Sequence, residues 1–513
     1  MTRDWKERKP LVGAAVFTLA FLYLYWIAGD ILRMAGDEGI YLEGGRRIAL
    51  GQQPYRDFFA FTGPLTFWME GALACWSGMR LAVMRLPLIL DTAFLAWAVF
   101  WLTSRYAGAL YSAGTALAFL AYESRIRLLN VNHRWDSSAL AMAAIATALA
   151  AQRTGRRGLW AASGFLVAAA AWATPSMLVV ALPLLFWCGR RGLGSVLAFL
   201  GGGALAAGAA TIYLQACHAL VPMIQSMQWA GANYTAPNRM PYGSIVWDGA
   251  KAAGLGTMGW SYILTSIYAL VPAILPPTAL LGWAWHLRGS RNRGEAAEML
   301  PLLAAVVALV FSAWPRWTSN ALLYTVALSW FLCALLFYRL TAPRQRFWLC
   351  GAVLLASVGS LAAKSMAPLD FLPLETRVGT LRAPADESEF LAALERWIQP
   401  GDSLFSFPYL ASVYYFLNAR NPTRYTFLQP GMMTPEDERR ALAELAAAPP
   451  RWVIYESWPP QAALKMWPGS NPARIPMDAM NAYLREHYQP VETVTGPWGR
   501  VVVMEPTAAR HAP

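Results

Sequence analysis

"GDEGIYLEGGRRIALGQQPYRDFFAFTGPLTFW", Gly36 to Trp68, begins a few residues after a long apolar run. It carries two adjacent acids, Asp37 and Glu38, a further acid at Asp57, and arginines at positions 46, 47 and 56. Ionised carboxylates beside lipid are costly unless paired, hydrated or used, so acids placed here mark a functional site by default. The stretch is too apolar for a plain solvent loop. "GIYLEGGRRIAL" puts Ile40, Gly44 and Ile48 on one helical side, which suits a helix lying in the membrane interface, although Gly44 and Gly45 weaken it. "PLTFWMEGALACW" opens with Pro64 at a favourable first-turn position and is too short to cross a bilayer, which predicts a second interfacial or re-entrant helix.

Outward from this stretch, the chain is 57% hydrophobic and 14% charged over 513 residues, against about 25% charged in soluble proteins. Apolar runs with short polar breaks fill residues 1–363, and residues 364–513 read as soluble. Candidate spans are Leu11–Gly29, Leu86–Ser104, Gly108–Tyr122, Ser137–Ala151, Gly158–Ala173, Ser176–Cys188, Leu193–Ala216, Trp260–Trp285, Met299–Trp314, Ala321–Tyr338 and Phe347–Leu361. A crossing takes roughly 20 apolar residues, so the count is about eleven, with several at the short end. The charged N-terminus "MTRDWKERKP" lacks a convincing small-residue cleavage site, and its apolar run reads as an uncleaved first helix.

Loop charge orients these spans. "TRDWKERK", "SRYAG", "QRTGRRG", "GRRG", "HLRGSRNRGE" and "YRLTAPRQR" fall on alternate connections, which the positive-inside rule assigns to the cytoplasm. The long first loop (30–85) and the C-terminal residues then lie outside. Arg46, Arg47, Arg56, Arg80 and Arg85 in the first outer loop, and Arg125, Arg127 and Arg134 in the second, break the rule, and anion binding would explain them. The net charge of +12 is spread between apolar runs, without the continuous stripe of a nucleic-acid binder. Five cysteines without CxxC spacing read as small core residues.

In "YESRIRLLNVNHRWDSS", Arg125, His133 and Arg134 are candidate contacts, while Asp136 with Ser137 reads as a helix cap. Asp91, inside the second span, is expected to bond a polar partner between helices. "GANYTAPNRMPYGS" has the composition of an irregular loop, and Gly201–Gly203 suits close helix packing. In the C-terminal part, "DSLFSF", "RYTFL", "RWVIYE", "VETVTG" and "RVVVME" read as strands. "ESEFLAALERWI", "YLASVYYFL", "TPEDERRALAELAAA" (Thr434 as cap) and "MDAMNAYLREHY" read as helices. The expected layer structure is α/β, without a Gly-rich phosphate fingerprint.

The Gly36–Trp68 stretch resembles the first outside loop of bacterial GT-C class polyprenyl-phosphate-sugar glycosyltransferases. These are similar to the protein O-mannosyltransferases and the lipid A aminoarabinose transferases. The likeness rests on an acid pair after the first span, a Pro-Tyr-x-Asp-Phe turn, and Gly-Pro before an aromatic helix. It implies a GT-C-like polytopic α-helical membrane protein in the bacterial inner membrane. The activity implied is transfer of a sugar from a polyprenyl-phosphate donor to an unspecified acceptor on the outer face. It maps the catalytic carboxylate to Asp37 and its second acid to Glu38. Asp57 becomes a sugar or acceptor contact, Arg46, Arg56, Arg125 and Arg134 phosphate partners, and His133 a further contact. Where the aminoarabinose enzymes have a metal-linked acid this chain has Thr62, so a divalent metal is not supported and no cofactor is assigned. The competing class is a lipid-linked-sugar flippase without transfer chemistry, whose polar site would lie near the midplane.

Overall fold

The computed structural model describes residues 3–34, 36–125, 128–244, 260–289, 293–496 and 499–507. Arg127, one of the rule-breaking arginines, lies outside them.

Every apolar run named above falls on helix. Six helical stretches among the described residues are long and apolar enough to cross a membrane: Lys9–Gly29, Leu81–Thr103, Leu193–Ala216, Tyr268–Gly289, Gly294–Ser312 and Pro343–Asp370. The others are shorter or less apolar. The run at Ser176–Cys188 starts as a 3₁₀ turn, Pro175–Val180, before the helix Ala181–Gly189. Ala321–Tyr338 is split between helices Ser319–Leu323 and Ala327–Leu340. Length and composition thus support a multi-pass protein but not a count of eleven.

Small residues set how tightly the bundle packs. A Cβ on Gly202 would lie 1.8 Å from the Ala161 carbonyl oxygen, and one on Gly164 would lie 1.9 Å from that of Phe199. Helices Arg157–Ala173 and Leu193–Ala216 therefore meet backbone to backbone. Of the glycine triplet, Gly202 makes this approach, while a Cβ on Gly201 would meet open space.

The stretch expected as the first outer loop folds as three helices, Gly36–Ala49, Leu65–Ser77 and the short Leu81–Met84, the first two of which pack across each other. The glycines expected to weaken the first helix instead make the crossing possible. A Cβ on Gly44 would sit 2.4 Å from the Phe67 ring, and one on Gly45 would sit 2.7 Å from the Glu70 side chain.

Beyond the last long helix, strands β1 (Leu372–Thr376) and β2 (Gly379–Ala383) form a hairpin that the sequence reading did not anticipate. β3 (Leu404–Phe407), β4 (Trp452–Glu456), β5 (Tyr488–Gly496) and β6 (Gly499–Pro506) make a sheet ordered β3-β4-β6-β5, with β3 and β4 parallel and the rest antiparallel. Helix Pro435–Ala447 starts as expected, with Thr434 and Asp437 bonding each other's backbone N–H. "RYTFL" is not a strand. Its backbone bonds outward, Arg424 N–H to Glu444 and Arg424 C=O from Phe59 N–H, while Tyr425 and Phe427 fill an aromatic core. "YLASVYYFL" shrinks to the short helix Ser412–Phe416.

The C-terminal residues share cores with the stretch between the first two long helices. Leu42, Phe58 and Phe67 are buried with Val413, Tyr414 and Tyr415, and Phe59 with Tyr425 and Phe427. The "GANYTAPNRMPYGS" connection is likewise packed: Tyr242 bonds Ala273 C=O at 2.8 Å and Gly243 N–H bonds Trp317 C=O at 2.9 Å. Contrary to a uniform core reading, Cys75 is exposed and Cys188 is buried, and all five cysteines are free.

Candidate active site

Three consecutive residues at the start of helix Gly36–Ala49 do three different jobs. Asp37 is exposed and accepts a hydrogen bond from Tyr409 Oη at 2.7 Å. Its place in the first turn, at the positive end of the helix, favours a carboxylate. Glu38 is buried and takes both prongs of Arg85, at 2.8 and 2.6 Å, plus Val131 N–H at 3.1 Å. Arg85 in turn donates to the carbonyls of Ala28 and Ile31. Gly39 is a notch: a Cβ there would lie 2.2 Å from the Ser412 backbone nitrogen. The Ala411–Ser412 turn can settle on the helix only because Gly39 lacks a side chain, and that docking brings Tyr409 to Asp37.

Glu38, expected beside Asp37 in the chemistry, thus anchors the loop, since both its oxygens are already engaged. Arg46 is corrected in the same way. It is buried, bonds Glu43 at 2.6 and 2.9 Å and donates to Ala419 C=O at 2.7 Å, which leaves no fork free for phosphate. Arg125 lies between the rings of Tyr122 and Tyr268, each 4.5 Å away, and bonds Tyr268 C=O at 2.8 Å. Aromatic stacking explains its break with the loop-charge rule. Arg47 bonds Gln52 and Thr423 C=O. Arg56 and Asp57 form a two-pronged pair at 2.9 and 2.7 Å, and Arg56 reaches Cys217 C=O at 2.9 Å. The Arg56 hydrogen bonds hold the Asp57 carboxyl below its ordinary range.

His133 and Arg134 have different surroundings. Both line a cavity of about 580 Å³ whose walls include Phe61, Trp172, Leu178, Met223, Met227 and Trp314. His133 Nδ1 lies 2.6 Å from Thr174 Oγ1, and its ring packs 5.8 Å from Tyr41. Among the described residues, no hydrogen bond or ion pair engages the Arg134 guanidinium, and the residue is half-buried. Asp37 is outside the lining of this cavity. The charges of Asp37 and Arg134 nevertheless both act on the phenol groups of Tyr41 and Tyr324, so they have neighbours in common.

Helix His133–Thr154 is capped by Asn132, whose side chain accepts from Arg134 N–H at 3.0 Å; Asp136 is not the cap. Asp136 instead takes the Thr66 hydroxyl and pairs with Asp91, the polar partner expected for that buried acid. Among the described residues no group of three or more His, Cys, Asp and Glu is arranged to hold a metal ion.

Two site residues had no legible signal. Tyr409 follows β3 in "SFPYL", an ordinary apolar stretch. Arg316, which bonds Asn238 at 3.2 Å and places its charge near Tyr409, sits in the short connection after helix Arg293–Ser312. Burial and the neighbouring Asp37 charge push the Tyr409 phenol well above its ordinary range, so it stays protonated and donates.

No family model matches the chain, and no curated protein does. Solved structures do. ArnT from Cupriavidus metallidurans bound to undecaprenyl phosphate aligns with a TM-score of 0.56 at 12% identity, covering 98% of this chain and 98% of that one. An Archaeoglobus fulgidus oligosaccharyltransferase tethered to an acceptor peptide aligns with a TM-score of 0.53 at 10% identity, covering 96% of this chain and 74% of that one. AglB from the same organism, in complex with an inhibitory peptide and a dolichol-phosphate, aligns at 0.51 and 11% identity, covering 99% and 75%. The chain carries the GT-C fold of these membrane proteins.

Proposed function

We propose that the protein is an integral membrane glycosyltransferase that moves a sugar from a polyprenyl-phosphate donor to an acceptor on the outer face, with Asp37 as general base. One observation carries this reading: an exposed carboxylate, already within hydrogen-bond reach of a hydroxyl, shares its tyrosine neighbours with Arg134, a cavity-lining arginine whose guanidinium has no hydrogen-bond or ion-pair partner among the described residues. A lipid-phosphate donor needs an apolar groove for its tail and a cation for its phosphate. The bound undecaprenyl phosphate of the ArnT structure and the dolichol-phosphate of AglB support that class of donor.

In this reading the acceptor nucleophile attacks the sugar C1 and gives its proton to Asp37. The bond from C1 to the phosphate oxygen breaks, and the electron pair leaves with the lipid phosphate. Arg134 neutralises the charge that develops there, a task for which a guanidinium's paired N–H groups are suited. Glu38 holds the helix start in place through Arg85, His133 and Thr174 form part of the cavity wall, and the Arg56–Asp57 pair is a surface contact for the acceptor or sugar. The first outer loop and residues 364–513 lie outside the bacterial inner membrane, with the N-terminus in the cytoplasm and about eleven crossings.

The test supplies labelled polyprenyl-phosphate sugars to membranes bearing the wild type or Asp37→Asn. General-base help is worth about 10²–10⁴-fold, so the variant should lose most of its transfer rate. Equal transfer by both proteins removes Asp37 from the role. Movement of the lipid-linked sugar across the bilayer with its glycosidic bond intact would establish the flippase instead.

A further inference from the structure

Tyr409 reaches the candidate base from the far part of the chain. Its hydroxyl donates to Asp37 Oδ1 at 2.7 Å, within the roughly 2.6–3.2 Å at which a general base must receive a nucleophile's proton. The ring is firmly held. Phe427, Trp458 and Trp467 surround it with ring centroids 5.6, 6.3 and 5.7 Å away. Its backbone N–H bonds Glu456 Oε2 at 3.0 Å, and the next turn is seated in the Gly39 notch. The C-terminal segment, and not side-chain chance, places this hydroxyl on Asp37. An oxygen that already accepts one hydroxyl has no place for another along the same direction.

We propose that Tyr409 is a built-in stand-in for the acceptor. Its hydroxyl occupies the position at Asp37 Oδ1 that the acceptor nucleophile takes during transfer, keeps a water molecule from bonding that oxygen in the same direction until an acceptor arrives, and then withdraws. The inference rests on the transferase reading above. The reaction being suppressed is hydrolysis of the donor. Water would attack the sugar C1 and give one proton to Asp37. The bond between C1 and the phosphate oxygen would break, leaving free sugar and lipid phosphate. Tyr409 is a positioning residue in this scheme, because it acts through Asp37 and not on the sugar.

The test uses the full-length protein in membranes as wild type, Tyr409→Phe and Asp37→Asn. The phenylalanine keeps the ring and its packing and removes only the hydroxyl. First, a water-soluble carbodiimide with a small amine labels accessible carboxylates, read by peptide mass spectrometry. Tyr409→Phe should raise labelling at Asp37 severalfold and leave the exposed Asp478 unchanged, while Asp37→Asn abolishes the Asp37 signal. Second, undecaprenyl-phosphate sugar labelled in the sugar is supplied without acceptor. Release of free sugar should rise about tenfold in Tyr409→Phe, the scale of one lost hydrogen bond to a charged group. With an acceptor present, its KM should fall while kcat holds, whereas a purely structural defect lowers kcat.

Unchanged Asp37 labelling in Tyr409→Phe overturns the cap. Raised labelling with unchanged hydrolysis and acceptor KM, in a protein that does transfer sugar, overturns the stand-in and leaves the transferase reading intact. A wild type that cleaves no lipid-linked sugar overturns both, even if the labelling shows the contact to exist.

Discussion

Glu38 and Arg85, 47 positions apart, meet as a two-pronged ion pair with both side chains 1% exposed. The pair ties the start of the Gly36–Ala49 helix to the beginning of the Leu86–Thr103 helix, and Arg85 extends the tie to the carbonyls of Ala28 and Ile31 around the end of the first helix. Asp37 is held at the start of its helix by this neighbour, both of whose oxygens are engaged.

Breaking that pair from one side leaves a buried charge without its partner, at a cost of about 3–5 kcal/mol. Glu38→Gln and Arg85→Met should each lower the unfolding midpoint of the detergent-solubilised protein sharply. The double substitution should recover part of the loss. A Glu38→Gln protein as stable as wild type would show that the pair does not anchor the loop.

Gly39→Val tests the docking notch. Its new Cβ would have to displace the backbone of Ser412, which a flexible side chain cannot relieve. Overpacking of this kind costs about 1–3 kcal/mol. We expect faster limited proteolysis within residues 364–513 and, as Tyr409 moves away, greater chemical labelling of Asp37. Gly201→Val, at a position where a Cβ would meet open space, is the matched control.

Arg134 and Arg46 should separate binding from stability. Arg134→Gln removes a charge that has no hydrogen-bond or ion-pair partner among the described residues and should weaken the donor step about 10–100-fold, the range of one charge-assisted hydrogen bond. Its thermal stability should hold. Arg46→Gln should show the converse, with lower stability because Glu43 is left buried and alone. Measuring donor KM and melting temperature on both variants checks the assignment.

Glu456 predicts a pH effect on stability. Burial pushes its carboxyl up to about 7 from an ordinary 4.5, against the opposing backbone N–H groups of Tyr409 and Leu410. Between these values the folded protein holds a proton that the unfolded chain has released. Stability should therefore fall as pH rises from about 4.5 to about 7 and level off above that, a change of about 3 kcal/mol at most. Chemical denaturation across this window should show the slope in the wild type and lose this part of it in Glu456→Gln.

Much of the architecture was legible because it depends on quantities that run along the chain. Apolar runs became helices, Thr434 became a cap, and four of the five expected strands formed. "RYTFL" failed because its backbone bonds distant partners while its rings turn into a core shared with Phe59. Gly44 and Gly45 were read as local weakness because propensity knows nothing of the helix that crosses them. The rule-breaking arginines were singled out as anion partners, yet several are satisfied by protein: Arg46 by Glu43, Arg85 by Glu38, Arg125 by two tyrosines.

The amino-acid order alone determined that this chain is built around membrane-crossing helices and that acids stand where the first of them ends. Hydrophobicity and loop charge are local sums, and they need no knowledge of distant neighbours. Tertiary structure decided which acid is free. Asp37 and Glu38 are adjacent and chemically alike, but successive residues on a helix point about 100° apart. One direction leads to Arg85 and burial, the other to Tyr409 and solvent. That difference is set by segments brought from 47 and 372 positions away, and no local pattern encodes it.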